Sequence, residues 1–237
     1  MKEVLVTGAT SGIGRAIAIA LQQSGFSVTA LGRNAKALEE MAAESPGLVP
    51  LCVELSDRKA MAEALGGRRV DILINNAGTM PKPGPFDAMD MASIDQTVEI
   101  NLSSVLWLTH LILPQMRARK SGHLLFTGSS AAHAPGANFA VYAATKAAIA
   151  ALAASIRAEV SADGIRVTEL VPGRVETALY TEVLSPEVRA AMYAGGGALQ
   201  PADIADAVLA VLRLPPHADI TRLDIMPTRP VPAIQLK

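Results

Sequence analysis

Short runs of aliphatic and β-branched residues alternate along this chain with longer stretches of helical periodicity. Strands are predicted at residues 4–6, 27–31, 48–53, 71–74, 123–127, 165–171 and 223–226. Helices are predicted at residues 12–23, 34–44, 57–65, 91–116 and 140–161, and a further helix begins at Pro201. Such alternation requires right-handed β-α-β crossovers, which build a parallel sheet with helices on both faces. The sequence therefore predicts an α/β protein with a doubly wound parallel sheet of about seven strands, in a single domain over residues 1–237.

The composition is apolar and nearly neutral, which argues against several classes of function. Half of the residues are hydrophobic, 18% are charged, and the net charge is −1. No cationic surface is therefore expected for nucleic acid or an anionic membrane. Polar residues such as Asn101 and His110 interrupt the longest apolar stretch. The single cysteine, Cys52, is expected to be a buried thiol in a cytoplasmic protein, and no metal-ligand spacing is present.

The first predicted strand runs directly into T-G-A-T-S-G-I-G at residues 7–14, and the first helix follows at once. Glycines in this loop allow a tight turn and a close approach of the backbone to a pyrophosphate. The N-terminus of the helix adds free N–H groups and the positive end of its dipole. The loop is therefore a candidate dinucleotide site, formed by Gly8, Thr10, Ser11, Gly12, Ile13 and Gly14. The alternative is a glycine-rich turn without a ligand, but the strand-turn-helix context favours the binding site.

The end of the second predicted strand indicates which dinucleotide binds. A carboxylate here would hydrogen-bond the ribose 2′-hydroxyl of NAD(H) and repel the 2′-phosphate of NADP(H). The sequence reads L-G-R-N at residues 31–34 instead, and the planar guanidinium of Arg33 suits a phosphate. We therefore assign Arg33 and the adjacent Asn34 to the cofactor site and favour NADP(H) over NAD(H). The alternative for Arg33 is a solvated charge at the start of a helix, where Asn34 can serve as the cap.

Four polar residues on otherwise apolar elements are candidates for the chemistry: Asn101, Ser129, Tyr142 and Lys146. Ser129 directly follows a predicted strand, and ligands of parallel sheets bind beyond such strand ends. Tyr142 and Lys146, spaced i and i+4, share one face of a helix. Hydride transfer at a carbinol carbon requires an acid/base, and a neighbouring ammonium favours the ionised phenol. We predict Tyr142 as the acid/base, Lys146 as its cationic partner, Ser129 as the ligand of the substrate oxygen, and Asn101 as the support of a proton-relaying water. The alternative is a half-exposed helix with a snorkelling lysine.

These segments occur in the order and at roughly the spacing of one known family. T-G-A-T-S-G-I-G, N-N-A-G at 75–78, the Y-A-A-T-K run at 142–146 and P-G-R-V-E-T at 172–177 resemble the short-chain dehydrogenase/reductases over essentially the whole chain. The resemblance implies a Rossmann-type fold, the four roles above and a nicotinamide cofactor gripped by Tyr142 and Lys146. It implies further cofactor contacts from Asn76, Ala77, Gly78, Pro172, Gly173, Val175 and Thr177. Where the family usually has Asp, the chain has Glu54 before Leu55, and both are assigned to the adenine end.

The C-terminal stretch at 214–230 is similar to the branch of NADP-dependent enzymes that oxidise serine and related 3-hydroxy acids. The weakly periodic residues 178–199, which contain Gly195-Gly196-Gly197, are predicted to form a substrate lid. Apolar helices at 91–116 and 140–161 predict a homo-oligomer, and the resemblance implies a dimer seam within a homotetramer. The sequence thus predicts an NADP(H)-dependent oxidoreductase for a small hydroxyl or carbonyl substrate. Alternatives are a sugar-nucleotide epimerase or dehydratase and a non-catalytic NADP-sensing protein on the same fold.

Overall fold

The computed structural model describes residues 1–181, 183–194 and 198–229 of the protein. These residues form one parallel sheet with the strand order β3-β2-β1-β4-β5-β6-β7. The strands are β1 (Glu3–Thr7), β2 (Ser27–Gly32), β3 (Val49–Cys52), β4 (Ile72–Asn75), β5 (Gly122–Thr127), β6 (Ile165–Pro172) and β7 (Arg222–Ile225). Each predicted strand is present, so the doubly wound α/β fold predicted from the sequence is confirmed.

Helices cover both faces of the sheet. In chain order they are α1 (Gly12–Gln23), α2 (Ala35–Glu44), α3 (Arg58–Leu65), α4 (Met91–Val98), α5 (Ser104–Arg119), α6 (Ser130–His133), α7 (Ala140–Val160), α8 (Pro186–Tyr193) and α9 (Pro201–Arg213). One apolar core joins α1, α2 and α9 to the sheet, and a second joins α3, α5 and α7 to its other face. The aliphatic composition suits this close packing, because helices can approach a sheet of Val, Leu and Ile closely.

Local signals fix where several helices begin. Asn34 caps α2, because its Oδ1 accepts a hydrogen bond from Ala37 N at 3.1 Å. Asp57 caps α3 in the same way through Ala60 N at 2.9 Å. Pro201 lies at the first position of α9, where its missing N–H costs nothing.

The predicted helix at 91–116 is not continuous. A π-helical turn at Glu99–Ser103 separates α4 from α5, and Asn101 lies within it. Ser104 Oγ donates a hydrogen bond to the Ile100 carbonyl at 2.7 Å, which uses one backbone acceptor of the widened turn. Such turns are frequent at functional sites, and the apolar periodicity of the sequence gave no sign of it.

The strand order reverses between β1 and β4. The chain runs outward from β1 to β2 and β3, then returns to the other side of β1 and continues from β4 to β7. Crossovers therefore leave β1 and β4 in opposite directions, and a crevice opens beyond their carboxyl ends. The candidate site residues from every part of the chain converge on this crevice.

The expectation that Cys52 is a buried thiol was wrong. Cys52 is an exposed free thiol at the end of β3, because β3 is the edge strand of the sheet. Among the described residues, the segment Ala140–Asp163 is long and apolar enough to cross a membrane by length and composition alone, with a mean hydropathy of 1.2 and 39% of its most apolar window buried. One face of this helix packs on the sheet. Because the helix has few polar residues, its outer face also consists mainly of small apolar side chains.

Candidate active site

The glycine-rich loop forms one wall of the cleft, where β1 meets α1. Gly8 and Gly12 adopt positive φ angles of 64° and 52°, which residues with a Cβ rarely adopt. A Cβ on Gly14 would contact the Gly8 carbonyl oxygen and lie 2.5 Å from Asn76 Nδ2. Five of the six predicted loop residues line the cleft, namely Gly8, Thr10, Ser11, Gly12 and Ile13. Gly14 packs beneath them and allows the loop to fold against the next segment.

The start of α1 suits an anion. Among the described residues, no side chain caps this helix, although Ser11 stands at the capping position in an extended conformation. The N–H groups of the first turn therefore keep their capacity to bind a phosphate, and the helix dipole favours negative charge there. The cradle and the uncapped turn together fit the pyrophosphate of a dinucleotide.

The outer end of the cleft holds a charged pair. Arg33 Nη1 lies 3.9 Å from Glu54 Oε2, and the two side chains are 65% and 43% exposed. Arg33, Glu54 and Leu55 line the cleft as predicted. The Glu54 carboxylate also accepts a hydrogen bond from its neighbour Leu55 N at 3.1 Å. Asn34 does not line the cleft, because its side chain caps α2, so its assignment to the cofactor site is not supported by the geometry.

The N-N-A-G segment after β4 lies against the glycine-rich loop. Thr7 Oγ1 accepts hydrogen bonds from the N–H groups of Asn76 and Ala77, both at 3.0 Å. Asn76 Nδ2 donates to the Thr7 carbonyl at 3.1 Å. Asn76, Ala77 and Gly78 all line the cleft. The ends of β1 and β4 are thus tied together, and Thr7 is a supporting residue that the sequence analysis missed.

The inner end of the cleft brings Ser129, Tyr142 and Lys146 together, as the sequence predicted. Ser129 is the N-cap of α6, two residues after the end of β5, and the other two residues lie on successive turns of α7. Lys146 Nζ donates a 2.7 Å hydrogen bond to the Thr127 carbonyl and lies 5.8 Å from the centre of the Tyr142 ring. Lys146 is buried, so the snorkelling alternative is excluded.

Burial sets the proton affinities of this pair. It raises the pKa of the Tyr142 phenol to about 12, with a further upward contribution from Tyr180 and a downward one from the hydrogen bond with Ser129. Burial also lowers the pKa of Lys146 to about 8. The phenolate was expected from the sequence to be favoured by the ammonium together with a bound nicotinamide ring. In the chain by itself, desolvation is the main effect and raises the pKa of Tyr142.

Asn101 is the fourth predicted member and is buried beside this group. Its Oδ1 accepts a hydrogen bond from Thr79 N at 2.8 Å. Its Nδ2 donates to the Thr79 carbonyl at 2.9 Å and to Thr145 Oγ1 at 3.2 Å. The amide is thus occupied by protein groups and fixes the segment after β4. A Cβ on Gly78 would lie 3.5 Å from both Asn101 Oδ1 and Lys146 Nζ, so the missing side chain leaves a gap between them.

The segment after β6 closes the remaining side of the cleft. Four predicted residues line it, namely Pro172, Gly173, Val175 and Thr177. Tyr180 and Val183, from the predicted lid, line it next to them. Gly195, Gly196 and Gly197 lie outside the described residues. Thr79, Met80, Ile100 and Tyr180 also line the cleft, although no role was predicted for them. The available signal for Tyr180 was that it is one of only three tyrosines in the chain.

Residues 2–187 match the family model described as short chain dehydrogenase. The chain belongs to the short-chain dehydrogenase family. An uncharacterized short-chain type dehydrogenase/reductase of Sinorhizobium fredii is 43% identical over 94% of this chain and 90% of its own length. Sulfoacetaldehyde reductase 2 of Chromohalobacter salexigens is 33% identical over 95% of this chain and 94% of its own.

A solved structure is also similar. The closed form of a serine dehydrogenase complexed with NADP⁺ is 31% identical and covers 99% of both chains, with a TM-score of 0.92. The resemblance predicted from the sequence is therefore confirmed, including its branch. This short-chain dehydrogenase is an oxidoreductase that acts on CH–OH groups. Among the residues that the structure describes, no group of three or more His, Cys, Asp or Glu side chains is arranged to hold a metal ion.

Proposed function

We propose that the protein is an NADP(H)-dependent oxidoreductase that transfers a hydride between the nicotinamide and a small substrate with a hydroxyl or carbonyl group. The observation that carries the proposal is the meeting of Ser129, Tyr142 and Lys146 at the inner end of a cleft whose outer end holds Arg33. The similarity to a serine dehydrogenase complexed with NADP⁺ supports the choice of cofactor.

In this proposal, each part of the cofactor binds to a different set of residues in the cleft. The phosphates bind the glycine-rich loop and the first turn of α1, and Arg33 binds the 2′-phosphate. Glu54 and Leu55 contact the adenine, while Asn76, Ala77 and Gly78 follow the ribose. Tyr142 and Lys146 grip the nicotinamide ribose, and Pro172, Gly173, Val175 and Thr177 surround the carboxamide.

Bound NADP(H) supplies the hydride chemistry, and the chain supplies the proton chemistry. Tyr142 takes the proton of the substrate hydroxyl during oxidation and returns it during reduction. The Ser129 hydroxyl holds the substrate oxygen beside the phenol. Because burial raises the pKa of Tyr142 to about 12, the phenol ionises only when further positive charge enters the cleft beside Lys146.

The proton then leaves through Lys146. We propose a water in the gap over Gly78, next to Lys146 Nζ and Asn101 Oδ1, as the next acceptor. The Asn101 amide makes the gap by holding Thr79 in place. The role of Asn101 is therefore to shape the relay, rather than to donate its own proton.

The substrate class follows from the relatives. Serine and sulfoacetaldehyde, after which two of them are named, are small molecules that carry an anionic group. We propose a small hydroxy acid or its carbonyl counterpart for this protein. Residues 178–199, of which the structure describes 178–181, 183–194 and 198–199, act as the lid over this substrate.

Exposed apolar side chains on α4, on α5 and on the turn before α4 suggest assembly. Phe86, Met91 and Leu106 are 63%, 66% and 44% exposed, an unusual set of apolar surface residues. We propose a homo-oligomer, a dimer or tetramer, that covers them, and a cytoplasmic location that suits the exposed thiol of Cys52. Light scattering at micromolar concentration tests the assembly, and a monomer would contradict it.

A matched substrate panel tests the proposed function. NADP⁺ reduction is measured with serine, other 3-hydroxy acids, hydroxyalkane sulfonates, polyols and sugars, and NADPH oxidation with the corresponding carbonyl compounds. We expect kcat/KM to be highest for small anionic substrates and to be far higher with NADP(H) than with NAD(H). A protein that binds NADPH but turns over no member of the panel would contradict the proposal.

A further inference from the structure

A buried carboxyl group lies directly behind the proposed catalytic serine. Glu169, on β6, is 5% exposed and is not among the residues that line the cleft. Its Oε1 is 3.0 Å from His133 Nε2, at the end of α6. A buried carboxyl group costs free energy unless it is hydrogen-bonded, and an apolar residue would pack at this place without that cost.

The hydrogen-bond pattern fixes which ring nitrogen carries the proton. Arg222 Nη1, from β7, lies 3.3 Å from His133 Nδ1. A guanidinium only donates, so Nδ1 accepts and Nε2–H donates to Glu169. Arg222 in turn donates to Asp224 Oδ1 at 2.5 Å. The charged groups around His133 are therefore Glu169 of β6 and the Arg222–Asp224 pair of β7.

The same carboxyl group lies beside Gly128, the residue that precedes Ser129. A Cβ on Gly128 would lie 2.7 Å from Glu169 Oε1. Gly128 N donates to the Leu170 carbonyl at 2.7 Å, which ties the start of the segment to β6. Residues 128–133 are thus held at their beginning by the backbone of β6 and at their end by the side chain of Glu169, which pairs with His133.

The short helix α6 needs such an anchor. It has four residues and is preceded by its N-cap Ser129, whose Oγ accepts a hydrogen bond from Ala131 N at 3.1 Å. One helical turn is not stable by itself, because nucleation fixes several residues for one hydrogen bond. His133 is its last residue, so the bond to Glu169 decides how α6, and with it Ser129, is oriented.

We propose that His133 and Glu169 form a positioning pair that holds the Ser129 hydroxyl against the Tyr142 phenol. The inference rests on the proposed function, in which Ser129 binds the substrate oxygen. Neither member touches the cleft. Their loss therefore lets Ser129 move while the phosphate loop and Arg33 remain in place. The hydrogen bond from Ser129 lowers the pKa of Tyr142, so its loss shifts the basic form of the phenol to higher pH.

The test is a double-mutant cycle with His133→Ala and Ser129→Ala. We expect His133→Ala to reduce kcat about ten- to hundredfold, the range for a hydrogen bond to a charged group. The midpoint of the pH profile of NADP⁺-dependent oxidation should rise, while the Kd for NADPH, measured by fluorescence, stays within about twofold. In the Ser129→Ala background the His133 substitution should have no further effect, because its target is absent.

Two further variants separate positioning from folding. His133→Gln keeps an N–H donor near Nε2 and should restore most of kcat, whereas His217→Ala, at an exposed loop histidine, should match the wild-type protein. Equal losses in both backgrounds of the cycle, or unchanged kcat in His133→Ala, would overturn the inference. If Tyr142→Phe is inactive in the same assay, such a result would overturn the positioning role of His133 and leave the proposed function intact. If Tyr142→Phe retains wild-type turnover, the proposed function itself fails.

Discussion

Replacement of Arg33 by alanine is expected to weaken NADPH binding selectively. The guanidinium stands at the outer end of the cleft, where the proposed orientation of the cofactor brings the 2′-phosphate. NADH lacks that phosphate, so its binding should not depend on the Arg33 guanidinium. The cofactor preference of the protein should therefore fall in Arg33→Ala without any change in the rest of the site.

The geometry sets the size of the effect. Unit charges about 4 Å apart attract by about 1 kcal/mol in water and by about 4 kcal/mol in a surface cleft. The Arg33 side chain is 65% exposed, so the lower half of that range applies. A loss of about 1–2 kcal/mol corresponds to about a five- to thirtyfold rise in Kd. The Kd for NADH should stay within about twofold.

Fluorescence titration of both dinucleotides measures these constants, at low and at high salt. Screening should weaken NADPH binding in the wild-type protein more than in Arg33→Ala. Lys36→Ala is the matched control, because Lys36 lies on the neighbouring helix α2, is 86% exposed and pairs with Glu40 at 3.9 Å. Equal weakening of NADPH and NADH in Arg33→Ala, or the same loss in Lys36→Ala, would refute the assignment of the 2′-phosphate to Arg33.

Three further substitutions test other parts of the account. Glu54→Gln removes a carboxylate 3.9 Å from Arg33, and with it the repulsion between that carboxylate and the 2′-phosphate of NADPH. NADPH binding, measured by titration, should become about two- to fivefold tighter. Weaker binding would contradict this prediction. Gly14→Ala should cost about 1–3 kcal/mol of unfolding free energy in urea and impair NADPH binding, because its Cβ would lie 2.5 Å from Asn76 Nδ2, whereas Gly84→Ala, in open space, should do neither. Burial lowers the pKa of His123 from 6.5 to about 3, so between these pH values the unfolded chain binds a proton that the folded protein does not. The contribution of the neutral, buried His123 to stability is therefore present above pH 6.5. It is lost, at about 1.4 kcal/mol per pH unit, as the pH falls towards 3. His123→Asn should lose less stability on acidification in urea melts, and an unchanged acid slope would count against this cause.

The sequence predicted those features that depend on local signals. Every described strand starts and ends within one residue of its predicted bounds, because each is an aliphatic run bounded by Gly, Pro or polar residues. The convergence of Ser129, Tyr142 and Lys146 also followed from order alone, because a parallel sheet brings the ends of β1, β4, β5 and β6 to one crevice.

The features that escaped prediction depend on tertiary contacts. The π turn around Asn101 is held by hydrogen bonds to Thr79 and Thr145, which lie far from it in the sequence. The pairing of His133 with Glu169 joins α6 to β6 across 36 positions. The raised pKa of Tyr142 comes mainly from desolvation by its surroundings in the folded chain. Periodicity and spacing carry no information on such contacts, so the position of Tyr142 beside Lys146 could be predicted and the raised pKa of its phenol could not.

Single-turnover oxidation of NADPH by Tyr142→Phe tests the central claim most directly. The variant keeps the ring and loses only the hydroxyl that is proposed to exchange the proton with the substrate. With the best carbonyl substrate, we predict a rate reduced by about 10²–10⁴-fold, while the Kd for NADPH rises by about tenfold at most, the loss of one neutral hydrogen bond to the nicotinamide ribose. A rate equal to that of the wild-type protein, at equal NADPH occupancy, would contradict the account.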